Sequence, residues 1–217
     1  VTRLGAEASF KVRVQAALSL GRGGASSSLE PLVKAALNDE HGAVRAASVV
    51  ALGDLGIPSA FPTVLKVAAN DSHPSCQQQA RDSAGAFERR AVVPFAVATF
   101  DSEDVRVRAE VIRFLTQDLM PRAEAVVIRA LGDYPEVSQI VADAFGAMTL
   151  ERRMTLLQRA VEHSHSSVRS GAITVLKASG AGAAVPIIME RYLRDSDPQV
   201  RSATEQALRQ LRSELPL

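Results

Sequence analysis

Histidine is the residue type in this sequence that comes nearest to a metal-binding pattern. His163 and His165 alternate in one short polar stretch beside Glu162, a spacing that would suit a weak metal site. His165 also shares one recurring cap position with His41 and His73, and helices packed side by side would hold His41 and His73 about 10 Å apart. Bonds from a metal to nitrogen are only about 2 Å long, so those two would not share an ion. We predict helix caps here, with no metal and no cofactor.

Motifs for nucleophilic catalysis or phosphate binding are absent from the sequence. Cys76 is the single cysteine, which excludes an intrachain disulfide, and its place in a regular apolar series predicts a buried packing role. No Gly-x-Ser-x-Gly elbow and no Gly-x-x-x-x-Gly-Lys-Ser/Thr loop occurs, and residues 21–24 are predicted to form a turn. We therefore predict no catalytic residue and a protein that is not an enzyme.

Arginines form local clusters of the kind that a nucleic-acid interface would use. The clusters are Arg89 with Arg90, Arg106 with Arg108 and Arg113, and Arg152 with Arg153. Acidic residues stand beside them, and the whole chain has 25 basic and 24 acidic side chains. Because a phosphate backbone is followed by an uncompensated basic stripe, we predict a salt-bridged surface and no nucleic-acid partner. A nucleic-acid-binding module is kept as an alternative.

A repeat runs through almost the whole chain and must position any site. A valine followed by arginine, or a residue in the same place, recurs in steps of 29 to 32 residues. These anchor residues are Val12, Val44, Cys76, Val105, Val137, Val168 and Val200. A fixed period of this length is the signature of a repeat architecture.

Each anchor is predicted to begin a helix, and a second helix is predicted between one anchor helix and the next. Three residues before most anchors stands a polar residue suited to an N-cap, as at His41. Gly21, Gly53, Gly85 and Gly146 lie nine residues after an anchor and are predicted to close helices in a left-handed conformation. The second helices are predicted within residues 29–37, 60–69, 92–100, 123–131, 153–161 and 184–193. Hydrophobic residues make up 47% of the chain and aromatic residues 4%, so the predicted core of this all-α fold is built of small side chains.

The motif Asp-x-(His/Asp)-x-x-Val-Arg-x-x-Ala-x-x-x-Leu-Gly, read at residues 39–53 and in part at 195–208, resembles the bacterial HEAT-like repeats of the phycobilisome-lyase type. The resemblance implies a right-handed α-α superhelix (a solenoid) of about seven repeats. It also implies one domain over residues 1–217, with an incomplete first repeat and a polar C-terminal cap. In the family, aspartate and arginine of this motif form a ladder between stacked repeats. That role falls on Asp39, Arg45, Asp195 and Arg201, with interruptions at Gln77 and Ser138.

Some anchor helices have apolar residues at positions predicted to point out of the stack, two and six residues after the anchor. Together with one polar neighbour they form the predicted partner-binding set: Val14, Leu18, Val50, Gln78, Val107 and Val111. Two alternatives stay open: Val14 and Leu18 would contact whatever precedes Val1, and Val107 and Val111 would be core if repeat four were shifted by two residues. In the family, the anchor-bearing helix lines the concave face.

The function predicted from these features is a non-enzymatic scaffold that binds a helix or extended segment of another protein on its concave face. A subunit of a phycobilin lyase-like complex is the first alternative, and the nucleic-acid module is the second. No apolar run approaches the roughly 20 residues needed to span a bilayer, and a cytoplasmic location is predicted. The chain begins at Val1 rather than Met, so processing or truncation at this end stays open, as does the oligomeric state.

Overall fold

A computed structural model describes residues 9–179 and 181–214, without the side chains of residues 181–183, 213 and 214. The described chain is all-α, as predicted, and contains no β-strand. Its α-helices are α1 (Phe10–Arg22), α2 (Leu29–Asn38), α3 (Gly42–Leu55), α4 (Phe61–Asn70), α5 (Pro74–Ala84), α6 (Arg89–Thr99), α7 (Val105–Gln117), α8 (Glu124–Arg129), α9 (Pro135–Ala147), α10 (Leu150–Val161), α11 (Ser166–Lys177), α12 (Ala181–Arg194) and α13 (Pro198–Glu214). The incomplete first repeat predicted from the sequence involves residues 1–8, which lie outside the described residues.

The chain divides into two compact units, Val1–Val111 (unit 1) and Ile112–Leu217 (unit 2). Within unit 1 the anchor-bearing helices α1, α3 and α5 pack side by side, while α2 packs against α3 and α4 against α5. Within unit 2 α11 packs against α13, while α10 packs against α11 and α12 against α13. Both units therefore repeat one motif, in which a helix with an anchor residue is covered by a second helix.

The core consists mainly of alanine, valine, leucine and isoleucine side chains, and most anchor residues belong to it. The anchor residues Val44, Cys76, Val137, Val168 and Val200 are all buried, whereas Val12 in α1 is 40% exposed. The N-caps of α3 and α5 are His41 and His73, as the sequence predicts, and the His41 ring accepts a hydrogen bond from the backbone N–H of Ala43. Small residues at regular spacing let the helices approach closely, and phenylalanines such as Phe61 and Phe145 fill the larger spaces of the core.

The left-handed conformation predicted for the recurrent glycines was wrong, although Gly85 does close α5, with a right-handed backbone at φ of −71°. Gly21 and Gly53 lie inside helices, and the described glycines with left-handed backbone are Gly24 and Gly56, each with φ of 65°. A Cβ atom at Gly21 would lie 2.6 Å from the Cα atom of Ala51 in the next anchor helix. Gly21 is therefore needed for close packing of α1 on α3 rather than for closing a helix.

Val107 and Val111 are 2% and 0% exposed, so the prediction that they point out of the stack was wrong. The physical reason is the register of repeat four, which is shifted by two residues. Asp104, rather than Ser102, accepts the capping hydrogen bond at the start of α7, from the backbone N–H of Arg106. Val107 is therefore the anchor of this repeat.

The backbone contacts of Arg108 give the same register. Its Nη1 atom donates to the carbonyl oxygens of Ser102 and Glu103, six and five residues earlier in the chain. Arg45 makes the same two contacts with the carbonyls of Asp39 and Glu40. Arg108 therefore occupies the place of Arg45 in the repeat, and the step from repeat three to repeat four becomes 31 residues instead of 29.

None of the described helices combines the length and the apolar character needed to cross a membrane.

Candidate protein-binding surface

A buried ion pair joins consecutive repeats at the start of α3. Arg45 donates through Nε and Nη2 to the two carboxylate oxygens of Asp71, at 2.7 and 2.8 Å, and both side chains are nearly buried. The two parallel hydrogen bonds match the planar guanidinium to the planar carboxylate. These bonds from Arg45 lower the pKa of Asp71 to about 2. The carboxylate is therefore charged at neutral pH in spite of its burial.

The same pair recurs in both units. Arg13 pairs with Asp39 at 2.9 Å and Arg169 with Asp195 at 2.7 Å, and each pair spans 26 residues of sequence. Of the predicted ladder residues, Asp39, Arg45 and Asp195 lie in these pairs. Arg201 donates to the carbonyl oxygens of Asp195 and Ser196.

The aspartates also accept a backbone hydrogen bond in the loop before the next anchor helix. One oxygen of Asp39 accepts a hydrogen bond from the backbone N–H two residues later, and Asp71 and Asp195 do the same. The ladder residues missed from the sequence are Arg13, Asp71 and Arg169. The recurrent spacing of 26 residues between arginine and aspartate would have found all three.

At two places the repeat lacks both members of the pair rather than one. Gln77 and Ser102 replace arginine and aspartate in unit 1, and Ser138 and His163 replace them in unit 2. The Ser102 hydroxyl and the His163 ring keep the backbone hydrogen bond that the aspartates accept, at 3.3 and 3.1 Å. A buried charge without a partner is costly. Replacing both residues leaves no unpaired buried charge, and the loop keeps its backbone hydrogen bond.

A different pair stands one helical turn beyond Gln77. Arg81 in α5 donates to Glu110 in α7 at 2.9 Å, and the Glu110 side chain is nearly buried. Gln77 itself donates to the carbonyl oxygen of Asp71, six residues earlier. This hydrogen bond is equivalent to the one that Arg45 donates to the carbonyl oxygen of Asp39. The anchor helices of unit 1 are thus tied to their loops with or without the ion pair.

The outer positions of α1, α3 and α5 form a surface that we call the unit 1 face. It consists of Val14, Leu18, Ala46, Val50, Gln78 and Asp82. The four apolar side chains are half-buried, and the two polar ones are exposed. Gln78 donates to the carboxylate of Asp82 at 2.9 Å. Val107 and Val111 are core residues and have no place on this surface.

The equivalent outer positions of unit 2 are polar. They are Gln139 and Asp143 in α9, Ser170 and Thr174 in α11, and Ser202 and Gln206 in α13. Gln139 donates to Asp143 at 2.8 Å, which repeats the contact between Gln78 and Asp82. Because the helices of both units follow one repeat, the apolar outer positions of α1 and α3 are not required by the repeat itself.

The remaining candidate reactive groups from the sequence are Cys76 and the pair His163 and His165. Cys76 is buried, and burial raises the pKa of its thiol to about 12, so it stays protonated and is a poor nucleophile. Burial is the main cause that lowers the pKa of His163, and the nearby His165 is the second cause. No group of three or more potential metal ligands occurs among the residues that the structure describes. Cys76 packs in the core, and the His163 ring accepts a hydrogen bond from the backbone N–H of His165.

Two arginines of the predicted clusters contact acidic side chains. Arg106 lies 3.6 Å from Asp104, and Arg152 contacts the carboxylate of Glu124, which Arg159, outside the clusters, also contacts. Surface pairs of this kind offset the positive charge that a phosphate backbone would need.

The chain belongs to the HEAT repeat family, because a sequence profile described as HEAT repeats matches residues 1–85 and 126–209. No curated protein sequence matches the chain.

Solved structures similar to the chain are helical-repeat proteins with low sequence identity. The complex of CpcE and CpcF of phycocyanin lyase from Nostoc sp. PCC7120 is 22% identical, with 69% of this chain and 98% of that chain covered and a TM-score of 0.40. An archaeal HEAT-like repeats protein from Thermococcus onnurineus NA1 is 12% identical, with 92% of each chain covered and a TM-score of 0.35. Human deoxyhypusine hydroxylase is 16% identical, with 96% of this chain and 82% of that chain covered and a TM-score of 0.37.

Proposed function

We propose that the protein is a non-enzymatic scaffold that binds a helix or an extended segment of another protein on the unit 1 face. The observation that carries the proposal is the row of half-buried apolar side chains at Val14, Leu18 and Val50. Gln78 and Asp82 form the polar border of this row. The family resemblance assigns these outer positions to the concave side of a repeat array, which is the side suited to a bound segment.

The contrast between the two units supports this proposal. A repeat that needed polar outer positions for solvation would have them in all its copies, yet α1 and α3 have valine, leucine and alanine where α9, α11 and α13 have glutamine, aspartate, serine and threonine. Covering apolar surface contributes roughly 25 cal/mol per Å². Apolar residues with a polar border are typical of an interaction surface.

The test compares a double variant on the face with a matched control elsewhere in the repeat. Leu18→Asp with Val50→Asp introduces charge into the apolar row, whereas Thr174→Asp introduces it at the same register position in α11, where the side chain is exposed. Tagged wild type and variants are used to capture proteins from an extract of the cells that produce the chain, and the captured proteins are quantified by mass spectrometry.

We expect the captured amount of at least one protein to be lower by about tenfold or more with the double variant than with the wild type. The reason is that binding of the apolar segment would then bury the two introduced carboxylates. Capture by the Thr174→Asp protein stays at the wild-type level. Helical circular dichroism and melting temperature confirm that both variants are folded. Equal capture by all three folded proteins would overturn the proposal.

A further inference from the structure

Two exposed carboxylates stand beside the apolar row of the unit 1 face. Asp54 lies in the last turn of α3, four residues after Val50, and Asp82 lies in the last turn of α5. Negative charge in the last turn of a helix opposes the helix dipole. Helix stability therefore gives no reason for an acidic residue at either place.

Packing of α3 against α5 brings these two positions to one side of the face. A Cβ atom at Gly53 would lie 3.2 Å from the carbonyl oxygen of Ser83 and 3.4 Å from the Cβ atom of Ala86. Asp54 directly follows Gly53, and Asp82 directly precedes Ser83, so both acids flank this close contact between the helices. Val50 lies one helical turn from Asp54 on the same face of α3.

Neither carboxylate is neutralised within the described part of unit 1. Asp54 forms no ion pair there, and the carboxylate of Asp82 accepts a hydrogen bond from the neutral Gln78. By contrast, Asp39, Asp71 and Glu110 are all paired with arginines.

The opposite end of the face differs in charge. Arg22 in the last turn of α1 occupies the repeat position that Asp54 occupies in α3. At these described positions negative charge therefore lies on the α3–α5 side of the face, while the apolar residues extend over α1 and α3. Such an uneven arrangement discriminates between orientations of a bound segment.

We propose that the partner segment is basic as well as apolar, with apolar side chains over Leu18 and Val50 and a lysine or arginine beside Asp54 and Asp82. This inference rests on the proposed function, since it specifies the chemistry of the segment that the unit 1 face binds. The chemistry that recognises the segment is charge complementarity at one end and apolar burial at the other. Acidic or phosphorylated segments are disfavoured by the same two carboxylates.

The experiment selects peptides from a random 16-residue display library on the purified full chain. In peptides whose binding depends on the unit 1 face, we expect lysine and arginine at least twofold above their frequency in the unselected library. These residues should lie within about one helical turn of the apolar residues, as i,i+4 neighbours do on a helix. Dependence on the face is established by loss of binding to the Leu18→Asp, Val50→Asp variant. Val50→Gln, which adds no charge, serves as the second variant in case the first fails to fold.

The two carboxylates are then removed by Asp54→Asn with Asp82→Asn, which keeps side-chain size. The affinity of the selected peptides should fall about three- to tenfold, and less at high salt, as expected for exposed ion pairs. Asp143→Asn is the matched control, because Asp143 in α9 has the same register position and the same glutamine contact as Asp82. This control should leave the affinity unchanged.

The outcomes separate the inference from the function on which it rests. Peptides that need Leu18 and Val50, yet show no basic enrichment and no loss with Asp54→Asn and Asp82→Asn, overturn the inference and leave the proposed function standing. Selection that yields no peptide dependent on Leu18 or Val50 overturns both.

Discussion

The buried aspartates of the ladder in the described residues lie in matched ion pairs. Arg13, Arg45 and Arg169 lie against aspartates that are themselves nearly buried. Where the arginine is replaced, as at Gln77, the aspartate of the next loop is replaced as well, by Ser102. The desolvation cost of a single buried charge explains why the two residues change together.

A double-mutant cycle tests this explanation by replacing the charged pair Arg45 and Asp71 with the residue types of the natural uncharged pair, glutamine and serine. Arg45→Gln and Asp71→Ser should each lower the free energy of unfolding by about 3 kcal/mol, because each leaves a nearly buried charge unpaired. The double variant should cost roughly 1–3 kcal/mol less than the sum of the single variants. Urea unfolding monitored by circular dichroism gives the three values.

The control for this cycle is an exposed pair in α13. Arg209→Gln removes the partner of Glu205, and both side chains are largely exposed, so the free energy of unfolding should change by less than about 1 kcal/mol. Strict additivity of Arg45→Gln and Asp71→Ser would contradict the explanation.

The pKa of Asp71 predicts how stability depends on pH. Its contacts with Arg45 lower the pKa from 3.8 to about 2 in the folded state, below the value in the unfolded chain. The stabilisation is therefore complete above about pH 5 and is lost as the pH falls from about 4 through 2. Urea unfolding from pH 7 to pH 2 should show that wild type and Asp71→Asn converge in stability at the acidic end. A constant difference over this range would contradict the assigned cause.

At the scale of helices, the sequence predicted which segments are helical better than it predicted register. The repeat was readable because its anchors recur with regular spacing. Repeat four was misplaced because Val105-Arg106 and Val107-Arg108 are both Val-Arg pairs, and local sequence does not distinguish them. The hydrogen bonds from Arg108 to the carbonyl oxygens of Ser102 and Glu103 identify the correct pair. In that register Val107 and Val111 are core residues.

Glycines illustrate the same limit. A glycine at a repeated position suits both a left-handed cap and a close helix contact, and only the neighbouring helix decides between them. At Gly21 the neighbour is Ala51, close enough to exclude a Cβ atom. At Gly146, near the end of α9, a Cβ atom would meet nothing within 4 Å.

These two glycines make a matched pair of helix variants. Gly21→Ala should lower the free energy of unfolding by about 1–3 kcal/mol because the added methyl group overpacks the contact between α1 and α3. Gly146→Ala should raise it by up to about 0.5 kcal/mol because alanine favours the helix and meets no neighbour. Thermal or urea unfolding measures both. Stabilisation by Gly21→Ala would show that close helix packing is not what requires this glycine.

At the scale of the whole molecule, the sequence predicted the family and the all-α repeat, and it singled out Val14, Leu18, Val50 and Gln78. It missed Asp54 because the acid lies outside the two positions of each repeat that are predicted to face outward. Its relevance comes from the contact of Gly53 with Ser83, which joins residues far apart in sequence. The repeat explains how the face is built, and the departures from the repeat define its chemistry.

The central claim is that the apolar row of the unit 1 face binds another protein. The most direct measurement is the dissociation constant between the chain and a purified partner identified by capture, by isothermal titration calorimetry. Binding should weaken about tenfold or more in the Leu18→Asp, Val50→Asp double variant and should be unchanged in the Thr174→Asp variant. Equal affinity for wild type and both folded variants would contradict the claim.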